Sequence, residues 1–286
     1  MPLRQDPDRA LKAGEMLLEA YEARSILGPI STPEDLLPPG VELGSRDHLH
    51  FITLTVAIDY MRDADALWAA GRATYADEGT RYLFDPERVA AAPFDAVSRD
   101  MQKYRLSKKP EKDAGIWRDI CVTLDRHFGG EVHNLLQHGR FQAPLLLATI
   151  RNRRYKFPYL KGAKIGPLWL RMLADTWRGE AIRGMAELPI AVDIHVAKAT
   201  VMTGGVSGPF SGPFEELKQV VVDVWFDACE GADHFPLEFD RMLWLLSRRG
   251  CAKVMRFPCE WRSKCPVGTL CTETQLKQHD DLATIP

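Results

Sequence analysis

Apolar residues return every third or fourth position across residues 8–26, 48–71, 113–128, 167–177, 194–203, 214–228 and 237–249. That spacing puts them on one face of an α-helix. Alternating, strand-like runs between turn signals are scarce. The pattern predicts an all-α chain. Proline and glycine clusters interrupt it at "LGPISTPEDLLPPGVELGS", "HFGGEV" and "TGGVSGPFSGP", and none is long or biased enough to be a disordered linker. There is no internal repeat. Segment 28–44 reads as a linker between a lone N-terminal helix and the main body, with the C-terminal third returning to cover that helix.

Composition narrows this picture. With 286 residues, 45% of them hydrophobic and 9% aromatic, the chain can bury a core as one large domain or two small ones. The N-terminus lacks the apolar centre of a signal peptide, and no run approaches the roughly 18 apolar residues of a membrane span. A cytoplasmic protein without a membrane partner is expected. The net charge of -2 announces no nucleic-acid partner, but whole-chain charge hides local faces. From Arg151 to Lys164, "RNRRYKFPYLKGAK" holds six basic side chains and no acidic one. Arg153, Arg154, Lys161 and Lys164 belong to this candidate phosphate-binding strip.

Three stretches carry candidate chemistry. In "FPYLKGAKIGPLWLRMLAD" a helix end, a glycine-containing turn and a new helix starting at Pro167 form a helix-hairpin-helix pattern. Gly162 and Gly166 let backbone amides approach a phosphate, and Lys161 and Lys164 add charge. The plainer reading is an αα-turn whose glycines serve as caps. In "LPIAVDIHVAKATVMTGG", Asp193 stands at the start of a helix ending before Gly204. It is either an ordinary N-cap or a fixed carboxylate able to stabilise positive charge developing on a sugar. In "CAKVMRFPCEWRSKCPVGTLC", four of the six cysteines, Cys251, Cys259, Cys265 and Cys271, fall within 21 positions. In a reducing compartment such clusters more often hold a metal or an iron–sulfur cluster than disulfides. Arg248, Arg249, Lys253, Arg256, Arg262 and Lys264 flank them. Cys121 and Cys229 sit in apolar helical surroundings and read as core, as do Trp117, Trp169, Trp225 and Trp244.

The order of these motifs resembles the helix-hairpin-helix DNA glycosylase superfamily, in particular its endonuclease III-like branch with a four-iron, four-sulfur cluster. "LKGAKIGP" resembles the family hairpin, "AVDIHVAK" its catalytic V-D-x-H-V/I segment, and "FDRMLWLLSRRGC" the helix that delivers the first cluster ligand. "FDAVSRDMQKYRLSKKPEKDAGIWRDICVTLDRHFGGEV" resembles the helices ahead of the hairpin, and the resemblance runs from about residue 48 to 272. It implies two helical domains: 48–180, barrel-like and ending in the hairpin, and 1–47 plus 181–286, carrying the cluster. It also implies a monomer acting on duplex DNA with a damaged or modified base, Asp193 as the catalytic group, and a structural cluster on Cys251, Cys259, Cys265 and Cys271.

Departures accompany it. The cysteines are spaced C-x7-C-x5-C-x5-C, whereas the family pattern is C-x6-C-x2-C-x5-C, so zinc stays an alternative ligand. The lysine of strand-cutting members has no equivalent, because its position falls on Gly166 or Leu168. A monofunctional enzyme leaving an abasic site is therefore expected. A glycosylase extracts its base from the duplex and needs a pocket and a filler. Where the family often carries Gln, this chain has Val56. Asp59 and Tyr60, beside the helix resembled by "TLTVAIDYMRDADALW", are the pocket candidates, and Asp63 lies on the same stretch. The second expectation, from another class, is a non-catalytic DNA-binding module stapled by the cysteines.

Overall fold

The computed structural model describes residues 3–25, 31–254 and 258–286. Twelve α-helices among them make the chain all-α: α1 (Pro7–Glu22), α2 (Arg46–Val56), α3 (Ala64–Ala76), α4 (Pro86–Ala91), α5 (Phe94–Asp100), α6 (Pro110–Phe128), α7 (Val132–His138), α8 (Ala143–Arg151), α9 (Ile165–Thr176), α10 (Ile194–Thr203), α11 (Phe214–Cys229) and α12 (Asp240–Leu245). Two small antiparallel sheets join them. β1 (Arg4–Gln5) pairs with β2 (Val206–Ser207), and β3 (Phe210–Pro213), β4 (Lys277–His279) and β5 (Leu282–Ile285) assemble in the order β3-β5-β4. No described helix is long and apolar enough to cross a membrane.

The chain forms two compact units, residues 33–187 and residues 1–32 with 188–286. The sequence reading placed these junctions at 47/48 and 180/181. In the discontinuous unit, Asp6 accepts from the Arg9 N–H at 3.0 Å and Pro7 opens the helix, so α1 starts where its first turn has no intrahelical acceptor to lose. Ala10, Ala13, Leu17 and Ala20 form its buried face. A Cβ on Gly14 would lie 2.8 Å from the Phe239 ring, so α1 approaches Phe239 as closely as only glycine permits. Val196, Val221, Trp225, Leu243, Val267 and Leu270 complete one core.

The 33–187 unit is built on aromatic packing. Phe51 contacts Trp68, Tyr75 and Phe84, and Phe84 meets Trp117 edge-on at 5.3 Å. The Trp169 indole N–H donates to Thr53 Oγ1 at 2.9 Å, joining α9 to α2. Two expectations are corrected here. The apolar period over 48–71 does not form one helix: it breaks at residues 57–63, where Met61 takes a φ of +49° and Asp63 caps α3 through the Ala66 N–H. Asp59 and Tyr60 therefore occupy a turn, and Val56 is buried. In the hairpin, α9 starts at Ile165, two residues before Pro167. Proline is still tolerated there because first-turn amides have no intrahelical partner. Trp117, Trp169 and Trp225 are fully buried, Trp244 only half.

Candidate functional site

In the 33–187 unit, α8 and α9 are joined by turns over residues 152–164. The Lys161 N–H donates to Phe157 C=O (3.1 Å), Gly162 to Tyr159 C=O (2.9 Å) and Gly166 to Gly162 C=O (3.0 Å). Gly166 is buried, and a Cβ on it would stand 2.7 Å from Leu147 Cδ1 and 3.1 Å from Leu160 C=O. Its lack of a side chain lets α9 press onto α8, and its amide is engaged by Gly162 C=O. Gly162 is half-buried, with its amide likewise engaged.

The basic strip remains outside. Arg151, Arg153, Arg154, Lys156 and Lys161 are exposed, and Lys164 is half-buried at the cap of α9. The strip's backbone is fixed to α6, since Thr123 Oγ1 accepts the Lys156 N–H at 3.2 Å. Arg151 Nε donates to Lys161 C=O at 3.2 Å, closing the loop on itself.

Tyr60 meets this hairpin. Its ring stacks on Tyr159 at 4.5 Å and 20°, and Tyr159 holds a φ of +61° in the turn. The Tyr60 hydroxyl donates to Asp113 Oδ1 at 2.6 Å, and Asp113 Oδ2 accepts from Ser107 Oγ (3.0 Å) and from the Lys108 and Lys109 amides (both 2.8 Å). Burial, then this bond to a carboxylate, pushes the Tyr60 phenol well above its ordinary value. Asp59 lies half-buried near the Arg62 guanidinium. Asp113 and Tyr159 escaped the sequence reading; the signal was the run "SKKPEKD", whose aspartate reaches back over the first turn of α6.

In the other unit, Asp193 caps α10. Its Oδ1 accepts the His195 (2.8 Å) and Val196 (3.0 Å) amides, which fixes the half-buried carboxyl group. His195 is absorbed by packing: its Nδ1 lies 3.1 Å from Ser247 Oγ and its ring meets Trp244 edge-on. Gly204, at φ +83°, ends the helix.

The far end of α10 is tied to the cysteine segment. Arg9 donates through Nε to Thr203 C=O (2.7 Å) and through Nη2 to Leu270 C=O (2.6 Å), and the Thr272 N–H donates to Met202 C=O (2.8 Å). Cationic and amide donors thereby satisfy the last carbonyls of the helix, where positive charge is favoured. A Cβ on Gly204 would sit 2.4 Å from Arg9 Nε, so glycine there also makes room for this bridge.

Cys251, Cys259, Cys265 and Cys271 line a single hollow together with Met202, Gly250, Val254, Trp261, Arg262 and Gly268. All four are half-buried thiols. Burial, then the neighbouring thiols, pushes Cys251 up to about 12, and burial also raises Cys265 and Cys271. The loop holds itself: Glu273 Oε1 accepts the Cys259 N–H (3.2 Å) and Arg262 Nη1 (3.1 Å), while Arg262 Nε donates to Gly268 C=O (3.1 Å). Among the described residues, no three His, Cys, Asp or Glu side chains converge closely enough to hold a single ion. Of the flanking cations, Arg256 and the Lys253 side chain lie outside the described residues. Cys121 is fully buried, and Cys229 half-buried.

These features define a class of arrangement: an all-α chain with a basic hairpin in one unit and, in the other, a carboxylate-capped helix seated on a four-cysteine loop. No protein-family model matches the chain, and no curated protein matches it. Among solved structures it is similar to a non-covalent Endonuclease III–DNA complex, at 16% identity and a TM-score of 0.49 over 92% of this chain and 95% of that one.

Proposed function

We propose that the chain is a monofunctional DNA N-glycosylase of base-excision type, with a structural four-iron, four-sulfur cluster on Cys251, Cys259, Cys265 and Cys271. The observation that carries this reading is α10, which holds a fixed carboxylate at one end and, at the other, accepts through Met202 C=O from Thr272 beside the last cysteine. The donor set fits the cluster. Four thiols face one hollow whose other lining is largely apolar, and four thiolates are what such a cluster takes. Four thiolates also suit a tetrahedral zinc, so zinc is the alternative that metal analysis separates. When bound, the cluster supplies rigidity, since hydrolysis at a sugar needs no electron transfer.

The chemistry falls to Asp193. As the bond between the sugar carbon and the base nitrogen breaks, its electron pair leaves with the base and the sugar becomes oxocarbenium-like. The carboxylate stabilises that charge and takes a proton from the attacking water, whose oxygen bonds to the sugar carbon, while the departing base nitrogen takes a proton from solvent, leaving an abasic site and the free base. The exposed hairpin cations meet the DNA backbone. The second hairpin helix contains no lysine, and its Arg171 is spent on Glu34 (2.8 Å) and Asp175 (3.1 Å). Strand cleavage through a Schiff base is therefore not expected.

The test joins metal analysis to base release. Anaerobically purified protein is expected to hold about four irons and four sulfides per chain, with absorption near ~400 nm. A panel of modified duplexes is expected to reveal base release that Asp193→Asn lowers by at least ~10²-fold at unchanged duplex affinity. Zinc without a chromophore overturns the cluster, and activity indifferent to Asp193→Asn overturns its role.

A further inference from the structure

The loop that follows α8 carries rings that the proposed hydrolysis does not use. Tyr155 stands in the basic strip between Arg154 and Lys156. Its ring lies 5.2 Å from Phe128, the last residue of α6, and meets His127 edge-to-face at 5.2 Å and His138 likewise at 6.1 Å. Phe128 is 4% exposed and also contacts His138 (5.5 Å) and Phe157 (6.3 Å), so it is the floor of the group. His127 and His138 are exposed and Tyr155 is half-buried. Aromatic rings ordinarily gain by full burial, yet these three keep part of their surface in water.

Their frame is fixed. Asn152 Oδ1 accepts the Arg154 N–H at 2.9 Å, Asn152 C=O accepts the Tyr155 N–H at 3.0 Å, and Thr123 Oγ1 accepts the Lys156 N–H at 3.2 Å. These bonds close a turn over 152–155 and tie it to α6, so a ligand would have little left to order. Cations stand beside the rings. The Arg154 guanidinium lies 5.8 Å from the Tyr155 ring centre, Arg151, Arg153 and Arg154 are exposed, and residues 151–164 contain no acidic side chain. Lys156 lies 3.7 Å from Asp119 and is partly neutralised, which leaves the arginines as the free charge.

Resting on the DNA reading above, we propose that His127, His138 and Tyr155 form a stacking site for unpaired nucleotides running out of the duplex held at the hairpin, with Arg153 and Arg154 on their phosphates. A base inside a duplex has no free face to offer, whereas an unpaired base has. Solvated rings beside cations are the arrangement that holds single strands without reading their sequence. The same cations repel a cationic guest such as a methylated lysine, which aromatic rings otherwise enclose. An acidic peptide would satisfy the arginines and leave the rings uncovered.

The experiment titrates the full chain, at one salt concentration, with an unmodified duplex that is either blunt or extended by ~4 unpaired thymidines. The readout is the ratio of the two Kd values, so no base release is required and losses common to both ligands cancel. The overhang is expected to tighten binding on the order of tenfold, the effect of stacking about one base. An overhang of tetrahydrofuran abasic nucleotides, with the same phosphates and no bases, is expected to lose most of that gain. Tyr155→Ala and His138→Ala are each expected to bring the thymidine ratio down to the abasic one, and Tyr155→Phe, which keeps the ring, to preserve it. No tightening by the overhang, equal tightening by thymidine and abasic overhangs, or a ratio unmoved in both alanine variants overturns this proposal and leaves the glycosylase reading to be judged on base release. Failure of the wild type to bind either duplex overturns both.

Discussion

A single histidine shows how burial alone sets a pH response. His48 is 1% exposed near the start of α2, and its Nδ1 accepts the Gly44 N–H at 3.0 Å, which requires the neutral ring at that nitrogen. Gly44 is confined to this place: its φ is +76°, and a Cβ would meet Thr176 C=O at 2.7 Å. Burial lowers His48 from 6.5 to about 4, and it lowers the fully buried His50 as well. A folded-state pKa below the unfolded one contributes stability that is complete above the unfolded value and is lost as pH falls through the interval toward the folded value. Tm is therefore expected to be flat above pH ~6.5 and to fall between there and pH ~4, with His48 alone worth up to about 3 kcal/mol. Differential scanning calorimetry across that range checks it, and His48→Gln, which can still accept from Gly44 without titrating, should flatten the fall. A profile as steep in the variant as in wild type would assign the effect elsewhere.

Among elements, the cysteine loop depends on one glycine. A Cβ on Gly268 would lie 1.9 Å from Arg262 C=O and 3.2 Å from Cys265 C=O, whereas one on Gly115, inside α6, would meet nothing within 4 Å. The same substitution should act with opposite signs. Gly115→Ala is expected to stabilise by about 0.5–1 kcal/mol, by raising helix propensity at no steric cost. Gly268→Ala is expected to displace the backbone between Cys265 and Cys271 and, with the cluster proposed above, to reduce iron loading on the order of tenfold or more, as measured by iron per chain. Elements of this kind were unequally legible. The clustering of Cys251 to Cys271 and the span of α10 from Asp193 to Gly204 stand in the sequence because a cap, a terminating glycine and a run of closely spaced cysteines are local signals. The break at residues 57–63 is not local: Ala57 and Ile58 continue the apolar period of α2, and what stops the helix is bonding to residues 106–113, some fifty positions on. The short helices α4, α5, α7 and α8 offered too few turns for periodicity to register. Gly166 was legible as a site of close approach, but sequence did not say that Leu147 and Leu160 approach it from within the fold.

For the molecule as a whole, the two units divide their dependence on the proposed cluster. Residues 1–32 with 188–286 form a unit whose core includes Val267, Leu270 and Leu276 from the cysteine segment and the region after it, with Cys251 and Cys265 packed against it. The loop is part of that core rather than an appendage. Arg9 and Thr272 extend its influence to the carbonyl end of α10. Residues 33–187 have an aromatic core around Phe51, Phe84 and Trp117, and their cysteine, Cys121, is buried. Because binding energy at a metal centre is folding energy for the segment that supplies its ligands, protein isolated without its cluster is expected to lose amide-exchange protection in α1, α10 and α12. Peptides from 33–187 should exchange as before, since local opening follows cooperative units. In a thermal melt, one transition should move down and the other should stay. Uniform loss of protection across both units would show that the cysteine loop supports the entire chain, and unchanged protection of α10 would break the link between that loop and Asp193.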